Sequence, residues 1–246
     1  MPSKLVTDRQ KSARAVAAAA STHGASVGEA LKGLLAPHLQ DGEQMPDAGL
    51  LCLLVGRLLL SQNEKLVAAD GAHEAELSDD TAPREAREQA ASGVRRVLVD
   101  LRATVAAVHG SAGLKQLGLT GATPVDPSVL AVEGATVLRN LEDATLSLPA
   151  PRRGTSLDRQ AFAEELREHL LPLQSALAAV VREAREAEST LVAKQAAMAA
   201  NDRAFSLGAA WLTATFSLAG REDLATRVRP SARQPGQTEA EETPTP

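Results

Sequence analysis

The groups through which this chain could do chemistry are few. It has five histidines and one cysteine among 246 residues. The sharpest spacing is Asp70, His73 and Glu74, which a helix would bring to one face; Glu165 and His169 form a second such pair at i, i+4. Helical bundles that hold two iron or manganese ions use Glu-x-x-His motifs on facing helices. Here Asp70, Ala106 and Leu166 stand three places before His73, His109 and His169, so the paired motif is absent. Both clusters lie among other charges and read as solvated helical faces, because a metal site needs more ligands and supporting hydrogen bonds than the spacing supplies.

The other chemistries are no better provided. No Gly-x-Ser-x-Gly elbow presents a serine, and Cys52 lies in an apolar run with no charge nearby in sequence to activate it, which is the setting of a small buried hydrophobe. Gly110, Gly113, Gly118 and Gly121 are glycine-rich, but no Gly-Lys-Ser/Thr ends the run, so it reads as a loop and not as a phosphate cradle. The sequence therefore assigns no catalytic, cofactor-binding or metal-ligating residue, and an enzyme is the less favoured reading.

What must position any site is helix. The chain has 47 Ala and 35 Leu with no Ile and no Tyr, which removes strand formers and enriches helix formers. An all-α fold follows: an elongated antiparallel bundle of about five to seven helices. Twenty Arg against six Lys, with little Asn, also fits GC-rich codon usage of a bacterial kind.

The organising stretch is 158–220. Leu170, Leu173, Leu177, Val180, Ala184, Ala187, Leu191, Met198, Phe205 and Leu212 recur every third or fourth residue, the apolar seam of a coiled-coil-like helix. Lys194, Asn201, Gly208 and Thr215 form a second column, small or polar, at every seventh place. Pro172 predicts a kink. Asn201 and Asp202 could instead cap a new helix, which would make the stretch a hairpin.

Before it, a first helix begins near Thr7 or Asp8. Ser26 and Glu29 have the spacing of a capping box, so it can break near Gly24 and restart at Val27. A second, from about Asp47, carries Leu50, Leu51, Leu53, Leu54, Val55, Leu58, Leu59 and Leu60 on nearly every side, so it should be surrounded. Its acidic end is expected to face Arg84, Arg87, Arg95 and Arg96 of a third helix, from Pro83 to His109. Asp126 and Pro127 start a fourth, as cap and first-turn proline. The expected organisation is then a disordered 1–7, helices over 8–109, a Gly-rich linker 110–125, helices over 126–220 and a disordered tail 229–246.

A formal net charge of −5 leaves no electrostatic footprint for nucleic acid. The run Leu50 to Leu60 has 11 residues and contains Arg57, against about 20 for a membrane span. Met1 to Arg14 is too polar for a signal peptide, and the lone cysteine suits a reducing cytoplasm. The bulky Trp211, Leu212, Phe216 and Leu218 suggest a membrane-surface helix, but no Lys or Arg stands between Phe205 and Gly220, so protein contact is preferred. The leading expectation is a cytoplasmic, non-enzymatic scaffold or protein-interaction protein, self-associating or bound to a protein partner, with Phe205, Leu212 and Phe216 as contact residues. The alternative is a bundle enclosing a small apolar ligand, cofactor or metal between its helices.

Overall fold

A computed structural model describes residues 3–79, 81–152, 154 and 156–239. Among the described residues the regular elements are helical: α1 (Lys4–Leu35), α2 (Ala48–Asp79), α3 (Thr81–Leu117), α4 (Pro127–Glu142), α5 (Arg159–Leu218) and α6 (Glu222–Val228), with a 3-10 turn at Ala36–His38. The architecture is the all-α bundle that Ala and Leu favour over strand. Its C-terminal helix, α5, is a single element of 60 residues. Asn201 and Asp202 lie inside it and cap nothing. Pro172 is accommodated on an exposed face, where water can reach the carbonyl that the ring leaves without a donor.

The chain forms two compact units, residues 1–76 with 187–246, and residues 77–186. The expected boundary at 110–125 is corrected: that segment belongs to the interior of the second unit. Gly110, at φ 69°, interrupts α3, and the helix resumes until Gly118, at φ 81°, ends it. There the Leu119 N–H donates to the Leu114 carbonyl over 2.9 Å, a Schellman closure that turns Leu117 and Leu119 into the core. Glycine is needed at these turns for its left-handed backbone, not for interdomain flexibility.

In the first unit, α1 and α2 run antiparallel. Ser3 meets Asp70, while a Cβ on Gly56 would lie 3.3 Å from Ala17 and Ala20. The helix α1 does not break at Gly24. A Cβ there would lie 3.1 Å from the Gly49 carbonyl oxygen and 3.3 Å from Cys52, so the glycine is a point of close helix approach. The end of α5 closes this unit antiparallel to α2, and α6 packs on α1. Val16, Val27, Leu31, Cys52, Leu59, Phe205, Leu212, Phe216 and Leu224 form the core. Burial pushes the Cys52 thiol pKa up, against a backbone hydrogen bond, as befits an inert core residue. At the other end of this core, residues 229–239 are also ordered, which corrects that part of the expected disordered tail. A Pro230–Thr238 bridge closes a turn, and Gly236, at φ 75°, sits where any Cβ would collide with Asp202. Residues 240–246 lie outside the described residues, as do Met1 and Pro2. Ser3 to Thr7 are not disordered: Ser3 caps α1 and Val6 is fully buried.

In the second unit, α4 is wedged between α3 and the start of α5. Gly134 permits it, since a Cβ there would already be 3.2 Å from Leu170 and 3.4 Å from Val94. The core is Val94, Val97, Leu98, Leu101, Val105, Leu130, Val137, Leu166, Leu170 and Leu173. Asp126 caps α4 as expected, accepting from the Ser128 and Val129 N–H groups at 2.9 and 3.0 Å. Its far end is closed by a residue that sequence patterning does not reveal. The Arg159 guanidinium donates to the carbonyls of Asn140, Leu141, Asp143 and Leu146 at 2.8 to 3.2 Å, satisfying helix-end acceptors that have no internal partner.

Arg159→Ala removes four charge-assisted hydrogen bonds at once. It is expected to cost about 2–3 kcal/mol, the range for bonds to a charged group after discount for partial exposure. A urea titration should show a lower midpoint at unchanged slope; a wild-type midpoint would show that water replaces the clamp without loss.

Candidate functional site

The first unit is graded along its length. Its apolar end holds Phe205, Leu212 and Phe216, all buried in its own core and offering no free surface. Toward the other end the interior becomes polar, through the column that the sequence shows as Lys194, Asn201 and Gly208. Ser12, Asn63 and Asn201 are buried, and Arg9 grips the Asp202 carboxylate with two bonds of 2.7 and 2.8 Å. Two turns beyond, Asp70 is 0 % exposed. It accepts from the Ser3 N–H at 2.7 Å, the Ser3 hydroxyl at 3.2 Å and the Lys194 ammonium at 2.7 Å.

This corrects the reading of Asp70, His73 and Glu74 as a solvated face. Glu74 is exposed, but Asp70 is fully buried and His73 nearly so, its Nδ1 3.0 Å from the Thr190 hydroxyl. Asp70 is occupied by its ion pair, so the cluster holds the fold and is not poised for a ligand. Burial alone would push the Asp70 carboxyl pKa up. Lys194 and Ser3 outweigh it, and the group is held below its ordinary 3.8.

In the second unit, Glu165 and His169 do share one neighbour, Arg96, at 3.9 and 3.4 Å. His169 and Arg96 border an open hollow of about 630 Å³ that also takes in Gln89, Ser92, Gly93 and Pro172. Arg87 pairs with the adjacent Glu88, and Arg96 with Glu165 of α5.

The feature that departs most from expectation is the leucine run of α2. It is not surrounded. Cys52, Leu59 and Leu66 point inward, but Leu50, Leu51, Leu54 and Leu58 are 43 to 48 % exposed. The exposed large residues toward the end of α5 are Leu207, Trp211 and Leu218, at 64, 38 and 55 %.

Leu51, Leu54 and Leu58 share one face with Leu207, Trp211 and Leu218, whereas Leu50 borders α1 beside Ala20, Ser21 and Gly24. A Cβ on Gly208 would lie 3.1 Å from Val55 and 3.0 Å from Leu59, so α2 and α5 touch there; Asp70 with Lys194 fixes the same antiparallel register further along. At 100° per residue, Leu51, Leu54 and Leu58 fall beyond Val55 on the side away from α1. Leu207, Trp211 and Leu218 fall on the side of Gly208 that borders α2. The register carries Leu54 level with Trp211 and Leu58 level with Leu207. From Ala204 to Gly220 there is no charged residue, and Arg57 is the only one between Ala48 and Asn63. An antiparallel helix pair thus presents a charge-poor apolar strip, of the kind that often marks an interaction site.

An 18-residue window within Ala48–Leu117, with mean hydropathy 1.2, is apolar enough by length and composition to cross a membrane. One third of that window is buried, and core helices of soluble proteins pass the same test. Comparison with protein-family models, with curated proteins and with solved structures gives no match. The functional reading therefore rests on this geometry.

Because Asp70 has a lowered pKa in the folded state, its stabilisation is complete above the ordinary value of 3.8 and disappears as pH falls through the folded value. The difference in Tm between the wild type and Asp70→Asn should be largest at pH 6–7 and shrink on titration toward pH 3. A Tm difference that stays constant down to pH 3 would mean that the carboxylate charge does not stabilise the unit.

Proposed function

We propose that this is a non-enzymatic helical interaction protein that works by docking an apolar protein surface on the α2–α5 face of its first unit. The observation that carries this reading is the strip itself: Leu51, Leu54, Leu58, Leu207, Trp211 and Leu218 are exposed together, on two helices whose mutual register is fixed beneath them. Folding does not require these residues to be apolar, since the core lies on the opposite sides of both helices. Leucine and tryptophan left together in water, with no charge among them, are what an uncovered interface core looks like before its partner arrives. Trp211 supplies the large, partly polar anchor that interface centres favour.

The function is accordingly displaced from the residues expected to carry it to their neighbours on the same helix. Phe205, Leu212 and Phe216 build the support, and Leu207, Trp211 and Leu218 present the contact. A coiled-coil-like seam is retained in the reading, but as the packing of α5 on α1 and α2 inside the unit. In a reducing cytoplasm the buried Cys52 stays a thiol and leaves the face unaffected.

A photo-crosslinking amino acid in place of Leu207 tests this directly. In cells it should give a discrete protein adduct that is absent when the same group replaces the exposed Arg227. The adduct should be lost in a second variant that also carries Leu54→Glu, while helix content by circular dichroism stays at the wild-type level. Adducts of equal yield at both positions, or none at position 207, would sink the docking assignment.

A further inference from the structure

We infer that the occupant of the α2–α5 face is a second copy of this chain, docked about a two-fold axis through the middle of the strip. The inference rests on the docking reading above and adds the partner's identity.

The first argument is area. At their observed exposures, Leu51, Leu54, Leu58, Leu207, Trp211 and Leu218 offer on the order of 550 Å² per copy, and the adjoining Ala204 and Ala214 add to it. Two such faces would bury roughly 1,100 Å², which clears the ~1,000 Å² that a specific interface needs and stays below the ~1,600 Å² of a standard one. With the strip fully covered, such a dimer falls among weak, reversible associations.

The second argument is chemical matching. The strip offers no charge to pair, so its complement must also be apolar and charge-poor along the length of two helices. This chain carries such a surface: the strip itself. An isologous contact requires a patch that complements its own copy, and an apolar, charge-free strip meets that chemical condition. Trp211 and Leu54 stand level at its middle, with Leu207 and Leu58 toward one end and Leu218 and Leu51 toward the other. Laying one antiparallel helix pair on another makes a four-helix layer of the kind that packs at about 20°.

The chain has a single tryptophan, Trp211, and it sits at the centre of the proposed contact. Its emission therefore reports this surface and no other. The test combines sedimentation equilibrium with Trp211 fluorescence over a dilution series of the full chain, for the wild type, Leu58→Glu and Leu207→Glu, with phospholipid vesicles, neutral and anionic, as a parallel arm. The expected result is a mass of twice 25.6 kDa at high concentration. The Trp211 emission should move to the red on dilution with the same midpoint as the mass, and each variant should weaken association at least tenfold at unchanged helix content.

Three results would overturn the proposal, each differently. A monomer at all concentrations that ignores vesicles removes the second copy and leaves docking of another protein, for the crosslinking experiment to decide. A monomer whose Trp211 emission moves to the blue on vesicles removes protein docking as well, in favour of a lipid surface. A dimer whose midpoint is indifferent to both substitutions and silent in Trp211 emission places the contact elsewhere. Should one glutamate variant misfold, the other and the wild-type emission still decide.

Discussion

The pairing of Asp70 with Lys194 is the interaction on which the first unit depends. A carboxylate with no exposed surface needs a partner, and losing one from a buried pair costs about 3–5 kcal/mol. Sliding α2 along α5 by a turn would strand Asp70 without its ammonium, and sliding it along α1 would leave Ser3 without its acceptor. One register is therefore strongly preferred, and it is the one that sets Leu54 level with Trp211. The ion pair adds little as a net attraction, since two desolvated charges largely offset their own gain. Its larger effect is to exclude other alignments of helices that are mostly Ala and Leu and would otherwise slide with little loss.

Close packing does the rest. Gly24, Gly49 and Gly56 let α1 and α2 approach until backbone meets side chain, and Gly208 lets α5 do the same with Val55 and Leu59. A helix pair drawn together this tightly has little room for large residues at the seam. The leucines of α2 that do not fit are turned outward, which is how a run apolar on nearly every side ends half exposed. The exposed face follows from a crowded core of alanine and glycine, in a chain that has only three phenylalanines to fill space.

The second unit solves the same problem with different means. It has a wider core of Leu and Val, a proline-initiated α4 and an arginine that closes the helix end from a neighbouring element. Arg102 and Glu133 form a half-buried pair at 3.3 Å; burial pushes the Glu133 carboxyl pKa up and Arg102 pulls it back only partly. Such details shape the fold without suggesting a chemistry of their own.

By itself the sequence determined the fold class, because composition and helical periodicity are local properties. Ala and Leu without Ile or Tyr exclude sheet, Asp126–Pro127 starts a helix wherever it stands, and the column of Lys194, Asn201 and Gly208 marks the inward side of α5 before any partner is known. It also showed that bulky residues gather near the end of that helix. Only the tertiary structure decided which of them are covered. Phe205 and Trp211 are both large and apolar and differ by little more than a turn and a half, yet one is buried and the other exposed, since that depends on where α1 and α2 lie. The same holds for Asp70, whose solvated look in sequence vanishes once Ser3 and Lys194 arrive from opposite ends of the chain. The division into units at 76 and 186, and not at the glycine-rich segment, was likewise beyond local reading. Glycines mark turns, but whether a turn leaves a domain or folds back into its core is settled by leucines, such as Leu117 and Leu119, that find long-range partners.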